Sequence, residues 1–408
     1  MSISALCRKS LALAVCAALV ATAGCKPLEE EKPAPDNGPV QEEAAPDEDG
    51  TTEPAQDSET DSSAQEGSAA PAEGPTGAKV ELLMELPDEC NTPDGMCLLP
   101  DNSILLSCPN VNDPSFPPVV MRITADNQLE KWFDPPMHPQ TGKAYPFGIC
   151  IDAEGKNVYL TDLQWFADPA NPGNYARVLE IPVDERYNPA GEPRVIVEGA
   201  VVANAVVVRD GILYFTDTVM VPGTDPLITG VFRIPLAAAA GGPVQLQKPL
   251  EEEPHLIAII PTENVEIGFG ADGLTFDDDG NMYVGNFADG LIYKVTFDPD
   301  GKPSEPAVFA KDPAMLCADG IFYDKNRKKI FVADSIANAV QVVDMEGNVT
   351  TLAKDTDNTG AGGRLDQPCE VLVRGDEVIV SNMDFPIPGG VNTTFDKPYT
   401  ISVIKLEE

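Results

Sequence analysis

From Lys79 onward, apolar residues fall in short runs of Val, Ile, Leu, Phe and Tyr, separated by Asp-Gly, Pro-Gly and Asn-Pro. Runs this short, bounded by turn formers, predict antiparallel β-strands. One unit recurs: a polar residue, usually a Gly, a short apolar strand, a turn, and a second strand that closes on Asp, Asn or Cys. The six copies begin at Asp94, Phe147, Asn204, Asp272, Asp319 and Glu370, and their second strands cover 104–108, 158–162, 213–217, 282–286, 330–334 and 378–382. A third run follows each, at 119–123, 177–181, 230–234, 291–295, 339–343 and 401–404, and a fourth often follows, at 129–133, 195–197, 307–309 and 349–352. Three to four antiparallel strands per repeat, arranged radially, predict an all-β fold, a six-bladed β-propeller. The last copy lacks a fourth strand, whereas 80–86 is an orphan strand ahead of the first, so pairing the two would close the ring. A β-sandwich is the rival reading, and six regular repeats fit it poorly.

Propeller blades run from the axis outward, so the residue that opens each innermost strand sits at one mouth of the central channel. That register places Asp94, Phe147, Asn204, Asp272, Asp319 and Glu370 around one axis. Carboxylates so placed repel one another and call for protonation, hydrogen bonds or a cation. An oxygen-rich set suits Ca2+ better than Mg2+, with another divalent cation as the alternative. Any one of these Asp-Gly pairs taken singly is ordinary turn chemistry; what distinguishes the set is the shared register. The Asp closing the second strand in Asp162, Asp217 and Asp334 reads as a loop anchor on the same face.

The chain ahead of the repeats has a different character. Arg8-Lys9, the apolar stretch 11–20 and Ala21-Thr22-Ala23-Gly24-Cys25 read as a signal peptide over 1–24, too short in its apolar core to span a membrane as a helix. Cys25 after Ala-Gly resembles a bacterial lipobox, which makes it a candidate lipidation site and predicts anchoring in the cell envelope, facing periplasm or exterior; ordinary secretion is the alternative. Residues 25–78 form an acidic Pro/Glu/Ala-rich tether with no Phe, Tyr, Trp, Ile or Met, and a segment with so little apolar surface is expected to be disordered. The propeller then occupies 79–408. The whole chain carries 66 Asp and Glu against 27 Lys and Arg, a formal net charge of -39. Such a balance excludes nucleic acid held through its phosphates. With only two His and no Cys-x-x-Cys, zinc, haem and iron-sulfur sites are excluded as well.

The stretch from Ala271-Asp272-Gly273-Leu274 to Asn281-Met282-Tyr283-Val284 resembles the blade that supplies the metal-binding Asp in the senescence marker protein-30, gluconolactonase and luciferin-regenerating enzyme family. Asn204 matches that family's Asn ligand, and Asp94 stands where its first blade contributes a Glu. The chain departs from the pattern at Asp94 for Glu, Ala205 for Gly and Phe147 for Asn, while Asp319 and Glu370 add carboxylates. The resemblance implies a calcium site formed by Asp94, Asn204 and Asp272, which the added Asp319 and Glu370 of this chain could complete as a shifted site, and an exported hydrolase of a small-molecule lactone or similar ester. The metal would stabilise charge developing on the carbonyl oxygen, with Asp272 or Asp319 as general base. Phe147, with Trp165 and Phe166 nearby, points to a less polar substrate than gluconolactone, and Phe147 is the candidate substrate-binding residue.

A Ser-His-Asp triad is not expected, because His138 and His255 both lie in Pro-rich loops. Cys90, Cys97, Cys108, Cys150, Cys317 and Cys369 could form up to three disulfides or pack as thiols. We expect a monomer. The alternative to the hydrolase is a non-catalytic cell-surface propeller that binds a protein or glycan while a channel ion holds the ring.

Overall fold

The computed structural model describes residues 75–407; the predicted signal, Cys25 and nearly all of the tether lie outside the described residues. No helix among the described residues is long and apolar enough to cross a membrane. Six antiparallel sheets follow one another along the chain. Blade 1 is built from Met96–Leu98, Ile104–Cys108, Val119–Ile123 and Leu129–Phe133, and blades 2 to 5 repeat the plan. In blade 6, Pro368–Arg374, Glu377–Asn382 and Thr400–Lys405 are completed by Val80–Glu85, with Val80 opposite Ile404. The orphan strand therefore closes the ring as its position predicts. Innermost strands of successive blades adjoin, and that of blade 6 adjoins that of blade 1, so the chain is a six-bladed β-propeller.

Packing follows from the pattern. The second strand of each blade is shielded on both faces, as in the fully buried Ile104–Cys108, and so reads as a continuous apolar run. Leu105, Val120, Ile149, Leu160 and Leu179 form one buried cluster between blades 1 and 2, each side chain worth roughly 1.5–3 kcal/mol of burial. Outer strands meet solvent, and Val308 is 54% exposed. The Asp-rich turns at the far end satisfy themselves: Asp277 accepts the Asn281 N–H at 2.9 Å and its side-chain amide at 2.7 Å.

Blades are also tied edge to edge by buried hydroxyls. Ser107 Oγ donates to the Phe147 carbonyl at 2.5 Å, Thr161 Oγ1 to that of Asn204 at 2.6 Å, Ser335 Oγ to that of Pro368 at 2.7 Å, and Ser381 Oγ to that of Asp94 at 2.8 Å. Ser107, Thr161 and Ser381 share one register of the second strand. Blade 4 has Gly285 there, where a Cβ would come within 2.5 Å of the Ala318 carbonyl; that blade meets its neighbour too closely for any side chain.

The outer strand of blade 3, Leu256–Thr262, is not predicted from the pattern, because its apolar residues run together and Pro261 interrupts them. Two short strands are likewise additional: Val244–Gln245 pairs in parallel with blade 2, and Thr76–Gly77 pairs with the outer strand of blade 5. The chain is thus already engaged with the propeller at Thr76, slightly before the tether was expected to end.

Candidate metal centre

The connections that lead into each innermost strand and those that join second to third strands emerge on one face of the ring. On this face the pairing registers Ala271 with Asn286 and Leu274 with Val284, leaving Asp272 and Gly273 in a bulge that turns the Asp toward the channel. The same bulge brackets Phe147 and Gly148 in blade 2 and Asn204 and Ala205 in blade 3. Asp94 and Asp319 take the equivalent place: each donates its N–H to a carbonyl of the second strand, Ser107 and Ala333 respectively. Blade 6 differs from the expected register. Pro368 pairs with Asn382 and Val371 with Val380, so the residue equivalent to Asp272 is Cys369, and Glu370 occupies the place of the glycines. Its side chain instead leans toward blade 5, where a Cβ on Gly320 would meet Glu370 Oε1 at 2.3 Å.

Glu370 nevertheless joins the group. Asp94, Asp272, Asp319 and Glu370 act on one another electrostatically. Burial pushes the Asp94 carboxyl up to about 7, against the pull of the Gly95 N–H. Burial and then the Asp94 charge hold Asp272 well above the carboxylate range, and the Asn204 amide opposes the shift. Asp319 is raised by burial, then by Asp272 and Asp94, although Ser335 Oγ lies 2.6 Å from its Oδ2. Glu370 is raised by burial and by Asp94 and Asp272, against the Val371 N–H at 2.9 Å. No Lys or Arg forms an ion pair with any of the four among the described residues.

Asn204 Nδ2 lies 2.9 Å from both oxygens of Asp272. The same amide turned over presents Oδ1, so Asn204 serves as a donor to the carboxylate or as a neutral oxygen ligand. Asp272 is 5% and Asp319 9% exposed, while Asp94, Asn204 and Glu370 keep surface that water can touch. The lumen mouth thus carries four carboxyls and one amide and no cationic side chain, an oxygen-only set of the kind hard divalent cations prefer, although among the described residues no three of these carboxylates present oxygens within 4.8 Å of one another.

An apolar collar rings this mouth, and sequence reasoning reaches only its first members. Phe147 is buried and stacks on Phe166 at 5.9 Å between centroids, and Phe166 meets Phe385 of blade 6 edge-on at 5.9 Å. Trp165 contacts Phe269 at 6.0 Å, and Phe269 contacts Phe287 of blade 4 at 6.1 Å. Phe287, Cys317 and Ile336 are buried together with Phe269 and Ile387 packed against them. Loops of blades 2, 4, 5 and 6 thus lay apolar side chains around the channel acids.

The loop anchors behave as the sequence implies. Asp217 accepts the N–H groups of Val201 and Val202 at 2.8 and 2.9 Å, and Asp334 those of Leu316 and Ala337 at 2.9 and 3.0 Å. Asp162 accepts from Tyr145 N–H at 2.8 Å and pairs with buried Arg177 at 2.8 Å. Each holds the connection that leads to its own blade, and hence fixes where the channel residue enters. His138 and His255 lie in connections away from the acids, the latter against Glu253 at 2.6 Å, and all six cysteines of the described residues are free thiols.

No protein-family model matches the chain, and no curated protein matches it in sequence. Solved structures share its fold. A gluconolactonase from Xanthomonas campestris superposes with a TM-score of 0.52 at 16% identity, over 82% of this chain and 96% of its own. The PQQ-bound aldose sugar dehydrogenase from Streptomyces coelicolor gives 0.53 at 16% identity, over 83% and 100%. A luciferin-regenerating enzyme gives 0.53 at 10% identity, over 81% and 98%. At these identities the common property is the six-bladed architecture, which in those proteins serves different chemistries.

Proposed function

We propose that this protein is a divalent-cation-binding propeller in which the channel ion holds the ring, and that it works as a non-catalytic binding module at the cell envelope. Asp94, Asp272, Asp319, Glu370 and Asn204 would hold the ion, with Ca2+ the cation their chemistry favours. Bound there, it supplies the positive charge that buried carboxylates from blades 1, 4, 5 and 6 otherwise lack. The observation that carries this reading is the apolar collar. Phe147, Phe166 and Phe385 occupy the approach to the acids, and Phe147 replaces a polar group with a ring that cannot hydrogen-bond a substrate. The partner would meet the loop face, where Met137 is 51%, Tyr175 40% and Leu316 44% exposed. The chain's net charge of -39 favours a basic protein or a neutral glycan. Lipidation at Cys25 and the acidic tether over 25–78 would hold the propeller at the membrane.

The second reading is hydrolysis of a lactone or similar ester. It is favoured by the Asn204–Asp272 contact beside Asp94 and Asp319, with Asp272 or Asp319 accepting a proton from water. Turnover of a panel of γ- and δ-lactones and aryl esters by the Ca2+-loaded full chain tests the choice. The binding-module reading predicts wild type and Asp272→Ala indistinguishable from buffer; turnover abolished by Asp272→Ala would replace it with the hydrolase.

A further inference from the structure

Blade 6 carries a second group of acids away from the channel set. Asp366 lies in the connection entering the blade, and Asp384 and Asp396 lie near the two ends of the irregular connection from Asn382 to Thr400. One carboxylate oxygen from each falls within 4.8 Å of the others. Asp384 is 2% exposed, and its Oδ1 is buried with no hydrogen-bond partner; Asp396 Oδ1 is likewise buried and unpartnered. A buried carboxylate oxygen without a donor costs on the order of 1–3 kcal/mol or more, and two in one place call for an occupant.

The remaining contacts fix the group without neutralising it. Asn392 Nδ2 donates to Asp366, the Asp396 N–H donates to Asp384 Oδ2 at 2.6 Å, and Asn112 Nδ2 of blade 1 donates to the Asp384 carbonyl at 2.9 Å. No Lys or Arg pairs with the three among the described residues: Arg364 is forked onto Asp355, and Lys397 reaches Asp88. Asp357 adds a further negative charge nearby. Gly360, at φ +69, keeps room beside Asp366, because a Cβ there would lie 3.0 Å from Oδ2.

We infer that Asp366, Asp384 and Asp396 form a second divalent-cation site, a calcium site that fastens the 383–399 connection to the blade. All donors are oxygen, which excludes soft metals. The ligands come from irregular loops, which suits the flexible coordination of Ca2+ over the strict octahedron of Mg2+. Burial and mutual repulsion, which push Asp384 up to about 9 and Asp366 to about 7, agree with acids that lack their counter-ion. The same connection carries Phe385 and Ile387 into the collar, so this site sets how firmly the channel mouth is closed.

Chymotrypsin cleavage at Phe395, followed in the chelator-stripped full chain with and without Ca2+, tests this site separately from the channel. Ca2+ should protect Phe395 in wild type and in Asp272→Ala, and leave it cleavable in Asp384→Asn. Calorimetry should show Asp384→Asn losing one of two Ca2+ binding events or weakening it by at least about tenfold. Without metal at neutral pH, Asp384→Asn should unfold at a higher temperature than wild type, because wild type must take up a proton at Asp384 on folding and Asn need not. Asp396→Asn gives the same readouts should Asp384→Asn not fold. Unchanged cleavage of wild type on adding Ca2+, or Ca2+ protection that survives Asp384→Asn or Asp396→Asn, overturns the inference.

Discussion

Substituting Asp94→Asn isolates the cost of keeping the channel acids without a cation. Burial moves the Asp94 carboxyl from its ordinary 3.8 to about 7, which corresponds to about 4 kcal/mol of differential stability. The sign follows from the raised value. In chelator the neutral acid is tolerated in the fold, so its contribution is intact below the unfolded value. It is lost as pH rises through the interval up to the folded value. Asn at this position does not titrate and keeps an acceptor for the Gly95 N–H. Urea denaturation in chelator at a series of pH values should therefore show wild type and Asp94→Asn nearly matched at about pH 4, with wild type the weaker by about 4 kcal/mol at about pH 8. Saturating Ca2+ should narrow the gap at high pH, because the ion binds the ionised carboxylate; at a hundredfold excess over Kd it contributes about 2.7 kcal/mol to wild type, more than half of the deficit. A difference between the two proteins that does not change with pH in chelator, or that Ca2+ leaves untouched, would refute the reasoning.

Further expectations follow from the same geometry. Asn204→Ala removes both 2.9 Å contacts to Asp272 and should lower Ca2+ affinity, with a stability loss in chelator of about 1–3 kcal/mol by urea denaturation. Phe166→Ala breaks the ring contacts with Phe147, Phe385 and Tyr145; it should cost about 1.5–4.5 kcal/mol for three aromatic pairs and speed Ca2+ release in stopped-flow chelation. Asp162→Ala strands buried Arg177 and should destabilise the fold by about 3–5 kcal/mol, whereas Asp277→Ala at the far turns should leave Ca2+ binding unchanged.

The repeats made the ring legible because each blade sets a buried second strand between turns, a signal that survives without long-range information. Asp162, Asp217 and Asp334 were legible for the same reason: they close those strands at a fixed place. The channel register was legible where a Gly follows the polar residue, as in Asp94-Gly95, Asp272-Gly273 and Asp319-Gly320. It slipped in blade 6, where Cys369-Glu370 offers no Gly and the acid sits one residue along. The collar was mostly hidden, since Phe269, Phe287, Ile336, Phe385 and Ile387 are scattered through loops and meet only when the ring closes. Asp366, Asp384 and Asp396 were hidden likewise, each looking like an ordinary loop aspartate until the fold buries one oxygen of Asp384 and one of Asp396 without a partner.

The most direct test of the central claim is calorimetric titration of Ca2+ into the chelator-stripped full chain carrying Asp384→Asn, which leaves the channel as the site being read, with Asp272→Ala added alongside. Saturable binding that disappears with Asp272→Ala is the predicted result. No binding in the folded Asp384→Asn protein, or binding that Asp272→Ala leaves intact, would contradict a cation held by the channel acids.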